Sequence, residues 1–174
     1  MTTPICALPL LAAMAANAVA APGGFPPNRL DMFVGTWRSS GSMTVERGKP
    51  PERHYGSNAC KWSSAAHLFL VCDGVFRSEG TPVEHHQLSV YAWDPASGRY
   101  SFANLGEGRV GTPELSLSGK TWTYSGKFTD QGGKTHWFRT LNIFDSPDRY
   151  RYEIQNSEDG VHWNTTGSGE SRRQ

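Results

Sequence analysis

The clearest alternating stretch in this chain of 174 residues is Thr121-Trp122-Thr123-Tyr124-Ser125-Gly126-Lys127-Phe128. Its aromatic side chains fall on one face, and small hydroxyl side chains fall on the other. Successive side chains of a strand point to opposite faces, so this pattern predicts a half-buried β-strand. Glycine-containing turn sequences bound the strand on both sides, at 118–120 and 130–133.

The same alternation continues after this strand. Residues 134–144 and 149–155 each form a further predicted strand, and a Ser-Pro turn separates them. Each strand has one predominantly apolar face, which we expect to point toward the core. The residues of these two faces are Trp137, Arg139, Leu141 and Ile143 in the first strand, and Tyr150, Tyr152 and Ile154 in the second.

Outside these strands the chain reads as further short strands joined by tight turns, after one helical turn near residues 28–33. No helical stretch is long enough for the crossover connections that parallel strands need. The sequence therefore predicts an all-β fold, an antiparallel up-and-down β-barrel of about eight to ten strands. The interior of such a barrel is either filled by side chains or holds a small ligand.

Composition and charge exclude some classes of function. The 17 basic and 16 acidic residues give a net charge of +1. A nucleic-acid-binding protein would show a strong basic excess, so we expect no nucleic-acid partner. Aromatic residues make up 11% of the chain, which argues against a disordered protein.

The N-terminus has the pattern of an export signal. The apolar run from Ile5 ends in Ala18-Val19-Ala20-Ala21, an A-x-A cleavage sequence. We predict a signal peptide over 1–21, a linker over 22–29 and one barrel domain over 30–174. The mature protein would be periplasmic or secreted and would not stay inserted in a membrane. The alternative is a membrane anchor, although Pro9 and Asn17 interrupt a run that is short for a span.

Two cysteines remain after removal of such a signal. Cys60 and Cys72 lie on either side of a turn centred near Ala66, which would place them opposite each other. An exported compartment permits a disulfide, and we predict one here with a structural role. The alternative is two free, buried thiols.

Several short motifs resemble the lipocalin-like superfamily. Leu30-Asp31-Met32-Phe33-Val34-Gly35-Thr36-Trp37 is a short helix that runs into Gly-x-Trp. Later stretches, among them Tyr91-Ala92-Trp93-Asp94 and Ser157-Glu158-Asp159-Gly160, are similar to a bacterial family of secreted lipocalin-like domains without an assigned function. The resemblance implies a barrel with a central pocket, and it implies no reaction. In such a barrel Trp37 would plug the floor, and Arg172 or Arg173 would stack on its face.

Cofactor motifs are weak, and we predict neither a cofactor nor a metal. Residues 106–111 match G-x-G-x-x-G, but an alternating strand follows instead of the helix that dinucleotide binding needs, so this is a hairpin turn. The heme-binding, nitrobindin-like relatives of the superfamily open with Gly-x-Trp-x-Gly-x-Gly, and here Ser39 replaces the second glycine. No histidine or cysteine cluster has zinc-ligand spacing.

The candidate ligand-binding residues are a cation and a set of aromatic side chains. Arg139 lies on an apolar face, where an unpaired charge is costly. It is either an anion hook for a carboxylate-bearing ligand or half of a structural pair with Glu153. The aromatic candidates for the pocket wall are Tyr91, Trp93, Tyr124, Trp137 and Tyr152, although most aromatic residues must fill the core.

These patterns favour a binding protein that holds a small hydrophobic molecule, with or without an anionic group, in the barrel. The alternative is an isomerase- or cyclase-type enzyme that uses the same pocket. That enzyme would need a converging titratable pair, such as His136 with a carboxylate or a tyrosine. No nucleophile motif or carboxylate pair is recognisable, so we predict no catalytic residue. A third alternative is a filled barrel without a ligand.

Overall fold

The computed structural model describes residues 27–44 and 48–174. A 3₁₀ helix, Pro27–Phe33, precedes eleven strands and begins inside the predicted linker. The predicted signal peptide lies outside the described residues. The strands are β1 Gly35–Met43, β2 Glu52–Trp62, β3 Phe69–Ser78, β4 His85–Asp94, β5 Arg99–Gly106, β6 Arg109–Gly111, β7 Glu114–Ser118, β8 Thr121–Thr129, β9 Thr135–Ser146, β10 Arg149–Ser157 and β11 Asn164–Arg173.

The strands form one antiparallel sheet that curls on itself. Each strand pairs with its neighbours in sequence except that β6 does not pair with β7, and β1 pairs with β11 to join the two ends of the chain. The edges of the sheet are β6 and β7, and β5 lies beside β7 where these edges approach. The predicted all-β antiparallel barrel is confirmed.

The structure has one strand more than the upper end of the predicted range. The extra strand is β6, which the sequence analysis treats as part of a turn. Glu107 and Gly108 both have positive φ, at 50° and 73°, and join β5 to β6 as a two-residue hairpin. Two positive φ angles are characteristic of the type I′ hairpin turn, so the prediction of a hairpin at this glycine-rich motif is confirmed.

The N-terminal helix closes one end of the barrel, which we call the closed end. Leu30 and Phe33 are buried there, and the indole nitrogen of Trp37 donates a 2.7 Å hydrogen bond to the Phe33 carbonyl. Trp37 itself is 1% exposed, and the Arg173 guanidinium lies 4.6 Å from the centre of its ring. The predicted tryptophan plug with a stacked arginine is confirmed, and Arg173 is the arginine.

A disulfide joins β2 to β3 near the closed end. Cys60 and Cys72 are directly paired in the register of the two strands, with an S–S distance of 2.06 Å. The predicted disulfide is therefore present. No helix among the residues that the structure describes is long and apolar enough to cross a membrane.

Candidate functional site

The strand register defines which side chains face the barrel interior. Trp122 and Tyr124 of β8 are buried, and they pair with Asn142 and Thr140 of β9. Thr140 in turn pairs with Ile154 of β10. Paired residues point to the same face of a sheet, so these side chains face inward together. The same reasoning, carried around the sheet, gives the inward face of every long strand.

Burial decreases along this inward face from one end of the barrel to the other. At the closed end Leu70 and Trp122 are fully buried and Phe144 is 3% exposed. At the opposite end Phe128, which shares the inward face of β8, is 54% exposed. Side chains between these limits, such as Gln87 and Thr140, are partly exposed although they face inward. The barrel is therefore packed at one end and open to solvent at the other.

We call the open half the barrel chamber. It is defined by six inward-facing side chains that are buried or partly buried: His54, Phe76, Gln87, Asn104, Phe138 and Tyr152. They come from β2, β3, β4, β5, β9 and β10, so they surround the interior from all sides of the curled sheet.

Three aromatic rings of the chamber are in close contact with glycines on other strands. A Cβ added to Gly56 would stand 2.6 Å from the ring of Phe76, and one added to Gly126 would stand 2.7 Å from Phe138. Tyr152 lies over Gly41 and Gly169, where an added Cβ would overlap its hydroxyl. Each of these rings therefore occupies space that a side chain at the glycine position would take.

A hydrogen-bonded pair of titratable side chains faces the chamber. The Nε2 atom of His54 lies 2.8 Å from the hydroxyl of Tyr152. Burial lowers the pKa of His54 from its ordinary value and raises the pKa of Tyr152 to about 12. Both side chains are therefore neutral near pH 7, and the hydroxyl proton can be shared between the phenol oxygen and the imidazole.

Amides and hydroxyls make up much of the remaining wall. The side-chain amides of Gln87 and Asn104 donate to the hydroxyl of buried Ser89, at 3.1 and 3.3 Å. Deeper in the barrel the hydroxyls of Tyr91 and Tyr124 lie 3.2 Å apart, and burial raises the pKa of both. These tyrosines form the base of the chamber.

Of the aromatic residues predicted to bind a ligand, four lie on the inward face. Tyr91 and Tyr124 meet at the base of the chamber, and Tyr152 lies in its wall. Trp93 is further down, where its ring packs 4.8 Å from that of Tyr100. Of these four described residues, Tyr152 alone lies in the open half of the barrel.

The other two predicted ligand residues, Arg139 and Trp137, face outward, which corrects the sequence interpretation. They alternate with the inward-facing Phe138 and Thr140 of β9. The Arg139 Nε donates a 2.6 Å hydrogen bond to Gln155, and its guanidinium lies 4.1 Å from the ring centre of Trp163. Arg139 is therefore packed on the outer surface, and its predicted alternative partner Glu153 pairs in register with Leu141 instead.

The rim of the chamber carries two histidines, one exposed (His85) and one partly buried (His136). His136 lies at the end of β9, where its Nε2 is 2.8 Å from a carboxylate oxygen of Asp130 and its ring stacks on Phe128. His85 contacts Glu107 across the rim. The pair that the sequence analysis gives as an example for an enzyme, His136 with a carboxylate, is thus at the rim. The pair that faces the interior is His54 with Tyr152.

The sequence patterns do not identify His54, Phe76, Gln87, Ser89, Asn104 or Phe138. The chamber wall mixes polar and aromatic residues, so it lacks the uniform apolar face that marks a core strand. The available signal is the glycine set at 41, 56, 126 and 169, because a glycine inside a strand indicates close approach of another group. Among the residues that the structure describes, no group of three or more His, Cys, Asp or Glu side chains is placed to hold a metal ion.

Comparison with known proteins gives one family and a set of similar folds. Residues 26–173 match the family described as "Protein of unknown function (DUF1579)". The comparison with curated proteins found no match.

Solved structures with the same fold are distant in sequence. The crystal structure of Rv2717c from M. tuberculosis is similar with a TM-score of 0.59 at 13% identity, over 87% of this chain and 99% of that one. The S-type phycobiliprotein lyase CPES from Guillardia theta is similar with a TM-score of 0.57 at 14% identity, over 84% of this chain and 91% of that one. At these identities the likeness shows a shared barrel fold.

Proposed function

This chain belongs to the DUF1579 family, and we propose that it is an exported protein that holds a small, mainly hydrophobic molecule in the barrel chamber. The observation that carries the proposal is the change in burial along one continuous inward face. A barrel that acted only through its outer surface would gain stability by packing both halves of its interior. Here the half that includes Gln87 and Asn104 stays in contact with solvent.

The chamber walls fit a ligand with apolar rings or chains. The rings of Phe76 and Phe138 lie on the inward face in close contact with Gly56 and Gly126. Such rings give a planar or apolar ligand broad contact. Binding sites for small molecules combine walls of this kind with a few polar groups, and here His54, Tyr152 and the amides supply those groups.

Export is supported by the N-terminal sequence and by the disulfide. The apolar run of 5–21 with its A-x-A sequence is typical of a signal peptide. The Cys60–Cys72 bond is the kind of link that persists in an oxidising compartment. We propose cleavage after Ala20 or Ala21, and the intact mass of protein made in an exporting host tests it directly.

An enzyme is the second candidate, and the His54–Tyr152 pair favours it. A neutral imidazole that shares a proton with a phenol can accept a proton at one atom of a bound molecule and return it at another, as an isomerase requires. The similar barrel from Guillardia theta is named a lyase, so enzymes are present among barrels of this shape. This candidate would be supported if wild-type protein converts a bound molecule into a product and the His54→Gln variant does not.

Native mass spectrometry combined with a blocking variant tests the binding function. In Gln87→Trp a bulky ring enters the chamber at a position that pairs with Gly74 and Gly106, so the sheet itself tolerates it. Ser101→Trp, on the exposed outer face of β5, is the matched control. We expect a co-purified molecule, or added N-phenyl-1-naphthylamine, on the wild type and on Ser101→Trp, but not on Gln87→Trp. Equal loading of all three proteins would contradict the proposal.

A further inference from the structure

We infer that the barrel chamber selects uncharged ligands that carry hydrogen-bonding groups of their own, and that it discriminates against the ionised form of the same scaffold. The inference rests on the proposed binding function and names the chemical class of its ligand. It also differs from one alternative of the sequence analysis, in which Arg139 binds an anion inside the barrel.

The first observation is the position of the charged residues on the inward face. Within the described strands, Arg173 at the closed end has an inward position, but Trp37 and the N-terminal helix cover it. Apart from His54, the other inward-facing acidic and basic side chains of the described strands are at the open rim: Glu52, His85, Arg109 and His136. Between these limits no Asp, Glu, Lys or Arg of the described strands occupies an inward position. The chamber is polar but carries no formal charge.

The second observation concerns His54, the one ionisable base within the chamber. Its Nε2 has the Tyr152 hydroxyl as a partner, whereas its Nδ1 is buried and has no hydrogen-bond partner among the described residues. An imidazolium needs an acceptor at each nitrogen, and here only one nitrogen has a partner. Burial also lowers the pKa of His54, which agrees with this geometry. His54 therefore gives an anionic ligand no counter-charge near pH 7.

The third observation is that neutral hydrogen-bonding groups are plentiful. The side chains of Gln87, Asn104 and Asn142 carry amides, and Thr140 and Tyr152 carry hydroxyls, all on the inward face. These groups recognise carbonyl, hydroxyl and amine functions on a ligand. An ionised ligand would lose its hydration on entry and would find no charged partner. A neutral ligand would exchange its water hydrogen bonds for those of the wall.

Two dyes with one skeleton separate these cases. N-phenyl-1-naphthylamine is neutral, and 8-anilino-1-naphthalenesulfonate is the same phenylnaphthylamine with one added sulfonate. We expect the neutral dye to bind wild-type protein at least ten-fold more tightly in a fluorescence titration. The fraction of each signal that disappears in Gln87→Trp but remains in Leu88→Asn, whose side chain lines only the outer groove beside Gln87, is the fraction bound in the chamber.

A charge placed in the chamber is the matched test of the cause. Gln87→Lys adds an inward-facing ammonium group, and Ser101→Lys adds the same group on the outer face. We expect Gln87→Lys to reduce the preference for the neutral dye at least ten-fold and Ser101→Lys to leave it unchanged. Folding of each variant is checked by its near-ultraviolet circular dichroism.

The outcomes separate this inference from the proposed function. Equal or tighter binding of the sulfonate to the wild type, in a signal that Gln87→Trp removes, would overturn the inference and leave the binding function intact. The inference would also be overturned if Ser101→Lys reduced the preference for the neutral dye as much as Gln87→Lys does. The discrimination between the two dyes would then come from the outer surface. If neither dye binds in the chamber, the binding function and the inference fall together.

Discussion

Arg173 shows how one side chain fixes the closed end of the barrel. Its guanidinium covers Trp37 and donates hydrogen bonds to the carbonyls of Met32 and Pro147, at 3.1 and 2.7 Å. It therefore ties the end of β11 to the N-terminal helix and to the β9–β10 turn. Arg172, one residue earlier, faces outward and pairs with Glu170 on the surface.

Replacing these two arginines should have very different effects. Arg173→Ala removes charge-assisted hydrogen bonds and uncovers a buried indole, so we expect it to lower the free energy of unfolding by about 2 kcal/mol. Arg172→Ala, which loses only an exposed ion pair, should change it by less than about 0.5 kcal/mol. Urea denaturation followed by tryptophan fluorescence measures both. Similar losses for the two variants would show that Arg173 does not hold the closed end.

The buried His54 gives the stability of the protein a defined dependence on pH. Its pKa in the folded state lies below the ordinary value of 6.5, so the unfolded chain binds more protons as the pH falls. The contribution of His54 to stability is fully present above pH 6.5, the ordinary pKa of histidine in the unfolded chain. This contribution is lost as the pH falls from 6.5 toward the lower pKa of the folded state. We expect His54→Gln, which can still accept a hydrogen bond from Tyr152, to lose less stability than the wild type between about pH 7 and pH 5.

Urea titrations of both proteins at each pH measure this difference. His162, whose pKa the neighbouring Asp159 raises, has the opposite dependence and is common to both proteins. It therefore cancels in the comparison. Parallel stability curves for wild type and His54→Gln would contradict the assignment of a depressed pKa to His54.

At the scale of strands, the contact between β1 and β11 depends on glycine. A Cβ at Gly169 would overlap both the Tyr152 hydroxyl and the backbone carbonyl of Ser40. The backbone cannot yield as a flexible side chain can, so we expect Gly169→Ala to destabilise the protein by about 3 kcal/mol or more and to displace Tyr152 from His54. Gly111→Ala is the control, because its nearest neighbours are 4.0 Å from the added atom. A thermal melt that moves equally for both variants would argue against the close packing.

The disulfide belongs to the same scale because it joins two adjacent strands. The bond closes a loop with a sequence separation of 12 residues. We expect the double variant Cys60→Ser, Cys72→Ser to lose about 2–3 kcal/mol of stability, as the chain-entropy argument gives for such a loop. Chamber binding of the neutral dye should persist, since the bond lies near the closed end. Equal stability of the variant and the oxidised wild type would show that the bond is dispensable.

Strand β9 shows where sequence reasoning reaches its limit. The period-two pattern correctly groups Trp137, Arg139, Leu141 and Ile143 on one face, but that face is the outer one. The inward face carries Phe138, Thr140 and Asn142, because it lines a polar chamber. A rule that sends the apolar face inward holds for β8 and β10, whose inward faces carry Trp122, Tyr124, Tyr150 and Ile154. It fails for β9, whose inward face mixes polar and aromatic side chains while its more apolar face points outward.

At the scale of the whole molecule, the sequence predicts the fold better than the site. Turn glycines and alternating strands are local signals, and they suffice for an antiparallel barrel with a Trp37 plug and a Cys60–Cys72 bond. The His54–Tyr152 pair joins residues that are 98 positions apart. Their meeting depends on the pairing of β1 with β11, which no local pattern in the chain reveals.

The central claim is that the open half of the barrel is a chamber for a small neutral molecule. A competing apolar surface is the groove of about 480 Å³ on the outer face of the barrel, whose lining includes Leu88, Leu105 and Val110. A crystal structure of the protein with N-phenyl-1-naphthylamine distinguishes the two locations directly. We predict density for the dye inside the barrel, between Phe76, Phe138 and Tyr152. Density confined to the outer groove, with the chamber filled by its own side chains, would contradict the account.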